Sequence, residues 1–93
     1  MSPAPELTLL SAPGCHLCHD MAEVARRVLA GSGVPLHERD IHADPELLAL
    51  YRTEIPVLLA GEREVLRHHA SEDELRRRLT ELGVLQSPRP GTG

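Results

Sequence analysis

The chain has 93 residues, a formal charge of −4 and 41% hydrophobic residues, yet its only aromatic residue is Tyr51. That length allows one domain with a small core, which Leu, Val, Ile and Ala must build between them. The basic residues are all Arg and the balance is acidic, which excludes a general nucleic-acid binder, because phosphate contacts need a net basic face.

Residues 1–5 read as a Pro-rich lead-in, with neither a charged start nor a long apolar run. The expectation is therefore a cytoplasmic protein without a signal segment or a membrane span. Glu6 to Leu10 form an apolar run typical of a strand buried on both faces. Ser11 to Gly14 read as a turn. From Cys15 to about Gly31, Leu17, Met21, Val24, Ala25, Val28 and Leu29 recur at helical spacing, and Gly31-Ser32-Gly33 supplies the stop. Leu36 to Ile41 read as a second strand.

Asp44-Pro45-Glu46 opens another helix, with Asp as cap, Pro at the first helical position and Glu in the first turn. It carries Leu47, Leu48, Leu50 and Tyr51 and must stop before Pro56. Pro56 to Leu59 and Glu64 to His68 read as two strands of a hairpin around Ala60-Gly61-Glu62-Arg63. Ser71 and Glu74 form a capping box for the last helix, whose buried stripe is Leu75, Leu79 and Leu82 and whose stop is Gly83. Residues 84–93 are expected to be a disordered tail, leaving 6–83 as the domain. The order is β-α-β-α-β-β-α, an α/β architecture with a four-stranded mixed sheet, because the first crossover needs parallel strands and the hairpin adds antiparallel ones.

The chemistry concentrates in Cys15-His16-Leu17-Cys18, set between a strand, a Pro-Gly turn and a helix. Two thiols three positions apart share one helical face, and unpaired N–H groups at the helix start favour a thiolate on the first. In a reducing compartment such a pair is catalytic or metal-binding sooner than structural. Cys15 reads as the attacking thiol and Cys18, a turn further in, as the resolving one. A protonated His16 would add to thiolate stabilisation, whereas Asp20 and Glu23 oppose it from a turn or more along.

Cys15-His16-Leu17-Cys18-His19 also matches the Cys-X-X-Cys-His pattern of haem attachment, but the chain offers no export segment, and Met21 is badly placed as a second axial ligand. Zinc is the stronger alternative: Cys15, Cys18 and His19 with His68 or His69 make four N/S ligands, although adjacent strand residues point to opposite faces. The run Arg76-Arg77-Arg78 reads as a solvated face paired with Glu72, Asp73, Glu74 and Glu81.

The element order, the Cys-X-X-Cys after the first strand and Ile55-Pro56-Val57 about forty residues later resemble the thioredoxin fold, and specifically the small bacterial glutaredoxin-like proteins. The resemblance implies a cis Ile55-Pro56 bond facing the dithiol and an Ile55 backbone that clamps a disulfide substrate. Together with His16, these are the expected substrate-binding residues. It implies dithiol–disulfide exchange without a built-in cofactor. The partners would be a disulfide-bearing protein or low-molecular-weight thiol, with a reductase or dithiol donor. The alternative is a zinc-binding or adaptor module of the same fold without redox turnover. The chain departs from glutathione-handling relatives in lacking their Pro-Tyr between the thiols, any Lys, and the Thr of Thr-Val-Pro, where Glu54 precedes Ile55-Pro56. Glu54 beside the clamp opposes a glutathione carboxylate unless Arg52 or His68 compensates.

Overall fold

A computed structural model describes residues 6–85; the lead-in at 1–5 and the tail from 86 onward lie outside the described residues. The strands are β1 (Leu7–Ser11), β2 (Leu36–Asp40), β3 (Val57–Ala60) and β4 (Arg63–Arg67), and the helices are α1 (His16–Leu29), α2 (Pro45–Tyr51) and α3 (Glu72–Glu81). The sheet order is β2-β1-β3-β4: β1 runs parallel to β2 and antiparallel to β3, and β3 is antiparallel to β4. This is the expected β-α-β-α-β-β-α order and four-stranded mixed sheet.

β1 lies inside the sheet, and its alternation assigns its side chains to the two sides. Leu7 and Leu9 join Leu58, Ala60 and Val65 under α1 and α3, where Met21, Ala22, Ala25, Val28, Leu75 and Leu79 complete the larger core. The alanines of α1 leave room for close packing of a helix on a sheet otherwise filled by leucines. Leu10 points the other way and, with Ile41 and Val57, forms a second, smaller core. Leu47, Leu48 and Tyr51 of α2 cover it.

The caps fall where the residue chemistry demands. The Asp44 carboxylate accepts from the Glu46 and Leu47 amides at 2.9 and 3.4 Å, and Ser71 Oγ accepts from the Glu74 amide at 3.1 Å. Between β3 and β4 the register shifts at Leu58/Leu59, so that Leu58 is opposite Leu66 while Leu59 is opposite Glu64, with Val65 as the extra residue of a bulge.

Four expectations need correction. Ile41 does not end β2; it begins a 3₁₀ turn, Ile41–Ala43, because the Asp40 side chain accepts from the His42 amide at 2.8 Å and draws the chain out of the ladder. Leu17 does not join the core face of α1 but stands 51% exposed, since the face carrying Met21 already fills it; Leu50 of α2 is likewise 68% exposed. The domain does not end at 83: Val84 and Leu85 pack on the larger core, and both amides donate to the Leu79 carbonyl, at 2.9 and 3.2 Å. The arginine run is not one self-contained face, since Arg78 bonds Glu81 at 3.0 Å while Glu72 reaches across to Arg27 on α1.

Candidate active site

The turn that delivers the cysteines is set by Pro13 and Gly14. Gly14 has φ +79°, and the Cys15 amide donates to the Ala12 carbonyl at 3.3 Å, closing a turn that favours Pro at its second and Gly at its third position. The chain then enters α1 with Cys15 as its N-cap. Its Sγ accepts from the Cys18 amide at 3.1 Å, in the place where a Ser or Asp oxygen usually stands. The first turn holds no acidic residue. A negative sulfur at position 15 therefore meets one directed N–H donor and the positive end of a 14-residue helix.

Cys15 and Cys18 form a disulfide with their Cα atoms 5.2 Å apart. Cys15 is partly exposed, while Cys18 is only 4% exposed and packs on the inward side of the helix. Cys15 is thus the more accessible sulfur of the pair. Both line an open pocket of about 320 Å³ on the β2 side, with Gly14, His16, His19 and Glu38 among its walls.

Of the residues singled out in the sequence, His16 thus shares a pocket with the two sulfurs. Ile55 and Pro56 reach the same end of the sheet from the β3 side and do not line that pocket. Their position follows from the register: Val57 pairs with Leu10, so the residues before Val57 run beside the start of the cysteine turn. Ala12 and Ile55 both rest on the Leu10–Ile41–Val57 core. The Ile55-Pro56 bond is cis, and Pro56 is fully buried.

The zinc ligand set does not assemble. The cysteines are bonded to each other, His19 Nε2 pairs with Glu23 at 3.1 Å, and His68 Nε2 lies 3.5 Å from Glu54. Among the described residues no group of three or more His, Cys, Asp or Glu side chains converges on a metal-sized site. No helix among the described residues is long and apolar enough to cross a membrane.

What the sequence did not disclose is the partner of Glu54. Neither Arg52 nor His68 takes its carboxylate first; Arg67 does, its Nη1 donating to Glu54 Oε1 at 2.6 Å. The same guanidinium grips Glu64 through Nε at 2.6 Å and through Nη2. This bond from Arg67, with a further one from the Thr53 hydroxyl, holds the Glu54 carboxyl below the usual carboxylate range. Arg67 does the same for Glu64, and its own pKa is raised in return. No local spacing could reveal the link, because Glu54 and Arg67 are 13 residues apart and meet only through the β3–β4 pairing. The next residue, His68, is the only non-glycine at positive φ (73°) among the described residues, and its amide donates to the Pro56 carbonyl at 2.7 Å.

An X-ray structure of a structural-genomics target protein from X. campestris is 30% identical, covers 81% of this chain and 96% of its own, and superposes with a TM-score of 0.69. A solution structure of a protein from Nitrosomonas europaea is 26% identical over 81% and 91% of the two chains, with a TM-score of 0.67. Thioredoxin 1 from Thermosipho africanus, 16% identical over 83% and 92%, has a TM-score of 0.60 and shares the fold. No curated protein matches the chain. The family model of the glutaredoxin-like domain (DUF836) matches residues 6–80, from the first strand into the last helix, and the chain belongs to that glutaredoxin-like family of thioredoxin fold.

Proposed function

We propose that the protein is a thiol–disulfide oxidoreductase working through Cys15 and Cys18. The observation that carries this reading is the position of Cys15. It is the cap of α1, partly exposed, with the Cys18 amide donating to its sulfur and Cys18 within bonding reach behind it. A thiolate there attacks one sulfur of a substrate disulfide, forming a mixed disulfide and releasing the other sulfur as a thiolate. The Cys18 thiolate then attacks Cys15 Sγ, expels the second substrate thiolate and leaves the Cys15–Cys18 disulfide. Two electrons pass from the dithiol to the substrate, and a dithiol protein, a reductase or a pair of low-molecular-weight thiols returns them. Ile55 and Pro56, held at the same end of the sheet, supply the backbone against which an extended substrate segment would lie, and His16 stands at the rim beside the attacking sulfur.

The test is reduction of insulin or of a peptide–glutathione mixed disulfide, followed by mass spectrometry of the trapped species. Cys15→Ser should abolish turnover, whereas Cys18→Ser should accumulate a mixed disulfide on Cys15. Parental turnover in both variants would overturn the mechanism.

A further inference from the structure

The Ile55-Pro56 loop enters β3 from the core that α2 covers, and it is tied to the end of β4 twice. One tie is backbone to backbone, from the His68 amide to the Pro56 carbonyl at 2.7 Å. The other is a side-chain bridge, in which Arg67 binds Glu54, next to Ile55, and Glu64 on its own strand. Glu64 fixes the guanidinium in two places, so the arm that reaches Glu54 leaves from a braced base. Glu54 is also anchored from behind, its amide donating to the Tyr51 carbonyl at 2.9 Å at the end of α2.

We infer that Arg67 is a positioning residue: through Glu54 it fixes the Ile55–Pro56 segment beside the cysteine turn, and it contributes to substrate binding without touching the reacting sulfurs. This rests on the redox reading only for its kinetic consequence. Arg67 spans both segments with hydrogen bonds at each end, where His68 Nε2 only approaches Glu54 at 3.5 Å, and its fork cannot be replaced by the single ammonium of Lys, which lacks the geometry to brace on Glu64 and reach Glu54 together. The pairs are part-exposed, which limits the effect to about a five-fold change rather than the hundred-fold of a buried pair.

The experiment compares parent, Arg67→Met, Arg67→Lys and Glu54→Gln. Met keeps most of the aliphatic stem and loses the fork. With a disulfide peptide, Arg67→Met should raise KM about five-fold at an unchanged kcat, Arg67→Lys should recover only part of that loss, and Arg67→Met combined with Glu54→Gln should be no worse than the worse single change. Independently of any turnover, the Glu54 and His68 amides should exchange with solvent about five-fold faster in Arg67→Met, while the Leu58 amide in the middle of the sheet keeps its parental rate. Parental exchange at Glu54 and His68 in a folded Arg67→Met protein would overturn the positioning role, as would a fall in kcat with KM unaltered. Were the parent inert toward every disulfide, the redox reading would fail, and the exchange comparison would still decide whether Arg67 holds the loop.

Discussion

Leu10→Ala should separate the core that supports the site from the core that supports the fold. Leu10 is 1% exposed, and among the described residues the buried part of its cluster is completed by Ile41 and Val57. Truncation removes three carbons, or roughly 2.4 kcal/mol at about 0.8 kcal/mol per buried methylene. The residual cavity adds to this, for a total of about 2.5–4 kcal/mol. On a domain of this size that lowers Tm by roughly 10–30 °C, and the loss is a large part of a total stability of about 5–15 kcal/mol. Leu79→Ala, on a residue fully buried on the other side of the sheet, should cost a similar amount. The two should differ at the site, because Ala12 and Ile55 rest on the Leu10 cluster and neither belongs to the Leu79 cluster. The assay is urea unfolding for stability, paired with iodoacetamide labelling of the reduced proteins well below their midpoints. Cys15 should label faster than Cys18 below pH 8 in the parent, Leu10→Ala should blunt that difference, and Leu79→Ala should leave it intact. A loss below about 1 kcal/mol for Leu10→Ala, or equal effects of both changes on labelling, would refute the reasoning.

Two further outcomes concern the end of β4. Glu54 and Glu64 have folded-state pKa values below the ordinary 4.5, chiefly through Arg67, so the unfolded chain binds their protons more readily. The stabilisation is therefore complete above about pH 5 and is lost as pH falls through the lowered folded values; urea midpoints of parent and Arg67→Met should draw together as pH falls below about 5, and a constant gap would refute the assignment. His68→Gly should raise stability slightly despite deleting a side chain, because relieving a left-handed backbone at φ 73° is worth about 1–2 kcal/mol against roughly 0.4–1 kcal/mol of added chain entropy. Substitution of the same residue by Ala should show no such gain, and a destabilised Gly variant would refute the account.

Much of the fold was legible because its signals are local. Asp44-Pro45 and the Ser71/Glu74 box mark helix starts through atoms two or three residues apart, and the structure places the bonds there. The Leu and Val runs mark strands because β1 and β3 are flanked on both sides and buried on both faces. The dithiol was legible for the same reason, since cap, turn and thiols lie within seven residues. Leu17 misled because period alone cannot tell a core residue from one at the helix edge beside an open turn. The end of β2 misled because a single Asp40 side chain competes with the ladder, which no hydrophobic pattern records. Arg67 stayed hidden because its contact depends on strand register, and register depends on a one-residue irregularity that no composition signal announced.

That irregularity has a genetic corollary. Glu64 faces Leu59 and Arg67 faces Val57, so both lie on the α2 side of the sheet although an odd number of steps separates them; Val65 absorbs the extra step. A one-codon deletion in this hairpin could keep every strand and still swing the guanidinium to the opposite surface. The number of residues between Gly61 and His68, as well as the identity of Arg67 among them, decides which surface the guanidinium occupies.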